Sequence, residues 1–170
     1  DHTAMLDNLT GALNQNAFVN LARGELERAR RNQSSLSLIA FHADNFKAIV
    51  DQHGRSVGND VLTLIAQGIR EKSRPYDGLG RYEGDTFILI LPGVVGAEAE
   101  NVAGRILKGI AHTKITLLDD TELKVDLSVG IVSSGRITAS TEIEALMNNT
   151  REALALAKRA GDNQIYTIYV

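Results

Sequence analysis

The residues with the clearest chemical potential are Glu83 and Asp85, set with Thr86 in the stretch Arg81-Tyr82-Glu83-Gly84-Asp85-Thr86-Phe87, directly before the aliphatic run Ile88-Leu89-Ile90-Leu91. Carboxylates in a glycine-containing turn at the mouth of a buried strand can hold a metal ion through oxygen, or sit beside a phosphate bound by turn N–H groups. The same residues can be no more than a solvated hairpin tip, with Asp85 accepting a turn hydrogen bond. Other standard constellations are missing: there is no GxxxxGK[ST], no HExxH and no GxSxG. Gly78, Gly80 and Gly84 lack the spacing of a dinucleotide fingerprint, and the four histidines are scattered.

The elements that must position this turn alternate between helix and strand. Phe18, Leu21, Ala22 and Ala29 mark one face of a first helix that ends in Arg28-Ala29-Arg30-Arg31. Leu36 to Phe41 reads as a buried strand. Val61, Leu62, Ile65 and Ile69 recur at helical spacing up to Ser73-Arg74-Pro75, where proline disfavours continuation. Gly78 to Tyr82 and Thr86 to Leu91 pair as a hairpin across the acidic turn. Ala99, Val102, Ala103, Ile106, Leu107 and Ile110 line another helix. Val125, Leu127, Val129 and Ile131 alternate strictly, which predicts a strand with one solvated or helix-free face. The last helix is predicted to start at Thr141, with Glu144 completing a capping box, and to stop near Gly161 before a closing strand from Gln164 to Val170. The fold class is therefore α/β or α+β, a layered sheet flanked by amphipathic helices.

At 170 residues and 44% hydrophobic, the chain has enough apolar material for one core. A net charge of −3 offers no general basic field for DNA or acidic membranes. The absence of cysteine excludes disulfides and thiolate metal sites. No apolar run approaches the roughly 20 residues that span a bilayer. These features predict a cytoplasmic location, no DNA partner and no membrane insertion of this domain. Because the chain opens abruptly at Asp1-His2-Thr3, a single domain over 1–170, cut from a longer multidomain signalling protein, is expected.

Several stretches together carry a family resemblance. Asp7-Asn8-Leu9-Thr10-Gly11-Ala12-Leu13-Asn14 resembles the DxLTGLxN start of GGDEF domains, the catalytic modules of diguanylate cyclases. Asp44 to Asp51 resembles part of their DxDxFKxxND segment, and Gly54 to Leu62 their GHxxGDxxL. Arg81 to Phe87 stands where the family has RYGGDEF, and Ala157-Lys158-Arg159-Ala160-Gly161-Asp162-Asn163 where it has AKxxGRN. The motifs fall in order, at family spacing, over nearly the whole chain. The resemblance implies a mostly antiparallel, nucleotide-cyclase-like central sheet flanked by helices. It also implies an ancestral reaction in which two GTP-loaded domains condense their substrates into cyclic di-GMP with magnesium.

The departures from the pattern fall on the groups that reaction needs. The first metal carboxylate falls on His42, a poor partner for a hard, oxygen-preferring ion, while Asp85 keeps the other acidic ligand. Glu83 replaces a glycine that lets backbone approach phosphate, leaving Gly84 alone. Thr86 replaces the Glu thought to assist deprotonation of the attacking hydroxyl, which a threonine cannot do near neutral pH. The guanine-reading Asn falls on Val50 and its Asp partner on Asn59. Lys158 preserves one phosphate cation, but the Arg of GRN is Asp162. The resemblance with these departures implies a catalytically dead domain with no bound magnesium or other cofactor.

A second site is implied to survive. Arg74-Pro75-Tyr76-Asp77 stands at the offset of the family's inhibitory RxxD motif, and Arg105 matches the further Arg of the product site. Arginine suits phosphate and the Hoogsteen edge of guanine, and Asp77 would accept from guanine N1 and N2. The plainer alternatives are a surface ion pair for Arg74 and Asp77, a solvated helix face for Arg105, and a helix-terminal lysine for Lys158. The expected function is an inactive domain in bacterial cyclic di-GMP signalling that binds cyclic di-GMP through Arg74, Asp77 and Arg105. It would relay binding to a neighbouring signalling or effector domain, with a homodimer left open. The alternative is a nucleotide-free interaction domain using the former dimer face. A residual cyclase or GTP-binding domain is disfavoured because the lost groups are chemically independent.

Overall fold

Leu36, Leu38 and Ala40 alternate with Ile39, Phe41 and Ala43, so the first strand is apolar on both faces and has to be covered on both. The computed structural model, which describes residues 4–170, shows how. Helix α1 (Gln15–Asn32) leads into β1 (Leu36–Ala43), followed by α2 (Phe46–His53) and α3 (Arg55–Lys72). The hairpin β2 (Gly78–Glu83) and β3 (Thr86–Pro92) is followed by α4 (Gly96–Ala111). A small hairpin, β4 (Lys114–Thr116) and β5 (Glu122–Lys124), precedes β6 (Leu127–Ser134), α5 (Ile143–Ala160) and β7 (Ile165–Tyr169). The main sheet has the order β2-β3-β1-β6-β7. β1 runs antiparallel to both β3 and β6, and only the β6–β7 pair is parallel. This is the mixed, mostly antiparallel sheet that the motifs imply.

One face of the sheet buries Ile39, Phe41 and Leu89 against Val61, Ile65 and Ile69 of α3 and Val102 and Ile106 of α4. The other buries Leu38, Ala40 and Ile88 against Phe18 and Leu26 of α1 and Leu146 and Leu154 of α5. The sheet is thus the shared wall of two half-cores, and its strand ends on the β2–β3 side carry the acidic turn.

Two expectations are corrected. β6 has no solvated or helix-free face, since all of its residues are buried, and Val125 lies outside it. The face that looked open is covered by α5, which lies directly on Gly130. A Cβ built on Gly130 would come 2.2 Å from the Leu154 backbone nitrogen. The last helix starts at Ile143 with Glu142 as its cap, and no side-chain cap bond forms. The expected capping box fails because its members are engaged elsewhere: Thr141 Oγ1 accepts from the Thr138 amide at 3.0 Å, and Glu144 pairs with Arg23. The short helix α2, which buries no residue fully, and the β4–β5 hairpin were not among the elements expected from the sequence.

Candidate functional site

The β1–β3 register puts His42 opposite Thr86, so the end of β1 lies beside the acidic turn. There His42 Nε2 donates to Asp85 Oδ2 at 2.9 Å. That hydrogen bond holds the Asp85 carboxyl below its ordinary value; burial works against it, and the charges of His42 and Lys158 add to the lowering. Thr86 is buried and Glu83 exposed. Arg151 and Lys158 from α5 close the opposite side of a shallow cavity of about 240 Å³, also lined by His42, Glu83, Asp85 and Thr86.

A hard dication wants several oxygen donors; here two carboxylates, Glu83 and Asp85, line the cavity, Asp85 is engaged by an imidazole and the wall opposite carries two cations. Among the described residues no three His, Asp or Glu side chains gather as a metal cluster. The neighbouring carboxylate, Asp44, is turned to β6, where it accepts from Ser128 Oγ at 2.6 Å.

The remaining positions of the motif pattern lie in α2, α3 and the α5–β7 loop. Val50 packs on the first turn of α3: a Cβ on Gly58 would fall 2.7 Å from Val50 Cγ2. Asn59 follows Gly58 and is half-buried, while Gly84 and Asp162 are exposed. The adjacent Asn163 has a structural task that the sequence did not disclose. Its side chain accepts from the Leu127 amide at 3.0 Å and donates to Asp126 at 2.8 Å, tying the end of α5 to the start of β6.

On the other side of the β2–β3 hairpin, the Arg74–Asp77 turn is closed by its own side chains. Asp77 accepts from the Arg74 backbone N–H at 2.8 Å, from Nε at 3.2 Å and from Nη2 at 3.0 Å. Nη2 also donates to the Pro92 carbonyl at 3.0 Å. The Asp77 side chain is 1% exposed and that of Arg74 38%. Asp77 therefore faces inward onto Arg74, and its hydrogen bonds raise the Arg74 pKa further, with burial opposing. Arg105 is exposed on α4. The charge of Glu98, on the same helix, adds a little to the raising of the Arg74 pKa.

Three further groups escaped the sequence reading. Arg81 donates to Asp7 at 3.1 Å and to the Gly84 carbonyl at 2.9 Å, joining the opening motif to the acidic turn. Arg151 donates to the Tyr82 hydroxyl at 2.9 Å. Tyr76 carries the Arg74 guanidinium 4.6 Å over its ring. Only Tyr76 had a signal in the sequence, an aromatic placed inside a polar turn.

Comparison with known proteins agrees with this fold. The family model described as "Diguanylate cyclase, GGDEF domain" matches residues 4–164. Diguanylate cyclase DosC of Escherichia coli strain K12 is 29% identical over 96% of this chain and 35% of its own length. Diguanylate cyclase DgcS of Shewanella oneidensis is 31% identical over 94% of this chain and 51% of its own length. The chain thus spans about a third to a half of these relatives. Among solved structures, diguanylate cyclase SiaD of Pseudomonas aeruginosa, in complex with its activator SiaC, superposes with a TM-score of 0.90 at 30% identity, covering 97% of this chain and 62% of that one. The GGDEF domain of DgcB from Caulobacter crescentus, in complex with c-di-GMP, superposes at 0.91 with 21% identity over 98% of this chain and 94% of that one, a likeness of fold.

Proposed function

The chain belongs to the GGDEF domain family, and from that premise we propose that it is a catalytically inactive member that binds cyclic di-GMP at the Arg74–Asp77 turn. It would serve as a cytoplasmic regulatory domain, passing occupancy to a neighbouring domain or partner. The observation that carries the loss of activity is the His42–Asp85 hydrogen bond, 2.9 Å long, at the place where the family's chemistry needs two carboxylates for magnesium. With that pair closed, no oxygen cage assembles. Val50 offers no hydrogen bond to guanine, and broken pairing of this kind loses on the order of 10⁴-fold in recognition.

The ligand reading is supported by the state of Arg74. Asp77 holds the guanidinium in one orientation, so little side-chain entropy is left to lose on binding. Arg105 adds a second cation from α4. Charge-assisted bonds contribute about 1.5–3 kcal/mol each, so a few of them support a Kd on the order of 1 μM. Asp77 acts here first as the group that positions Arg74. It reaches guanine directly only if Arg74 swings away.

One observation favours a second reading, a partner-binding domain without nucleotide: the Asp77 carboxylate is buried and already spent on Arg74. Calorimetric titration of cyclic di-GMP into the domain and into Arg74→Ala separates the two. Binding at micromolar strength that is lost in the variant supports the receptor, and no binding to the unsubstituted domain selects the partner-binding module.

A further inference from the structure

Tyr76 stands between Arg74 and Asp77 and is 62% exposed, although it is one of only four tyrosines and sits in a turn anchored on both sides. One face of its ring is covered by the Arg74 guanidinium, 4.6 Å from the centroid. That guanidinium is fixed in its own plane by Asp77 and by the Pro92 carbonyl at 3.0 Å. Among the described residues, its Nη1 makes no hydrogen bond. Pro75 removes one further backbone freedom from the turn. The result is a held guanidinium stacked on one face of an aromatic ring that is otherwise open to solvent, with Nη1 unspent.

Such a pair matches a nucleotide, which presents a flat π surface and an anionic phosphate within one residue length. Aromatic faces take bases with little sequence demand, and arginine supplies the charge-assisted bonds to phosphate. We propose that Tyr76 is the base-stacking element of the cyclic dinucleotide site, taking a purine on its open face while Arg74 Nη1 donates to a phosphate oxygen of the same ligand. The inference rests on the binding reading above and adds to it a residue whose contribution is aromatic rather than ionic. Asp77 and Pro92 then act as positioning groups, holding Arg74 against the ring. Purine cyclic dinucleotides should be preferred over pyrimidine ones, because the larger base covers more of the ring.

The test is titration of cyclic di-GMP into the unsubstituted chain, Tyr76→Phe, Tyr76→Trp, Tyr76→Ala and Arg74→Ala. The chain has no tryptophan, so Tyr76→Trp carries a single reporter. Stacking predicts that the Phe and Trp variants bind within about threefold of the parent, that Tyr76→Ala is weaker by about tenfold or more, and that the tryptophan emission is quenched at saturation. Tyr76→Ala binding like the parent, or saturation of Tyr76→Trp with unchanged emission, overturns the stacking role. Loss on Arg74→Ala in the same series would leave the binding site itself standing. No binding by the unsubstituted chain overturns both readings at once.

Discussion

The proposed loss of activity turns on position 42, where the motif resemblance sets an imidazole in the place of a carboxylate. His42 donates to Asp85 from nitrogen, so one of the carboxylate oxygens that a dication would use is already engaged. With GTP and magnesium the purified domain should therefore form no cyclic di-GMP, as read by chromatography of the products. Thr86→Glu alone should restore none, because on the proposed reading the metal and guanine contacts at His42 and Val50 stay broken. Asp7 shows a separable effect. Burial pushes its carboxyl up, but the Thr10 hydroxyl and amide and the Arg81 guanidinium outweigh it and leave the pKa below its ordinary 3.8. A depressed folded pKa gives stability that is complete above the unfolded value and drains away as pH falls through it and the folded value. The gap in melting temperature between the parent and Asp7→Asn should accordingly be present near pH 6 and shrink below about pH 4. The stretches that mark the family could be read from sequence, because they keep residue type at a regular spacing. The Arg81–Asp7 bond could not, since it joins residues far apart in the chain.

Among the elements, β6 and α5 show best how a pattern can be right in period and wrong in meaning. Val129 and Ile131 alternate with small residues, which in sequence resembles a strand with one open face. In the fold, smallness is what lets a helix backbone rest on the sheet, as the position of Gly130 against Leu154 shows. Gly130→Ala should cost about 1–3 kcal/mol in urea unfolding, toward the upper end because the opposing atoms are backbone and cannot rotate away. Helix α1 was readable from its apolar stripe, and its cap is as local as its sequence: Asn14 Oδ1 accepts from the Ala17 amide at 2.9 Å. The cap of α5 was not readable, because tertiary partners of Glu144 and Thr141 outcompete the local box.

For the molecule as a whole, the single sheet makes both half-cores one cooperative unit. Leu38 and Ile39 are sequence neighbours on β1, yet they bury into opposite half-cores. Leu38→Ala and Ile39→Ala should each cost about 2–5 kcal/mol and leave one transition, with fluorescence and circular dichroism midpoints coinciding. Separate transitions would mean that the sheet does not couple its faces. The sequence by itself determined the order of the main elements and the family motifs, because periodicity, spacing and side-chain type are local properties. It could not decide which face of β6 would be covered, that Asp77 would turn inward onto Arg74, or that Tyr76 would be left open beside that guanidinium. Those outcomes depend on which distant surfaces the packed sheet brings together, and only the tertiary structure decided them.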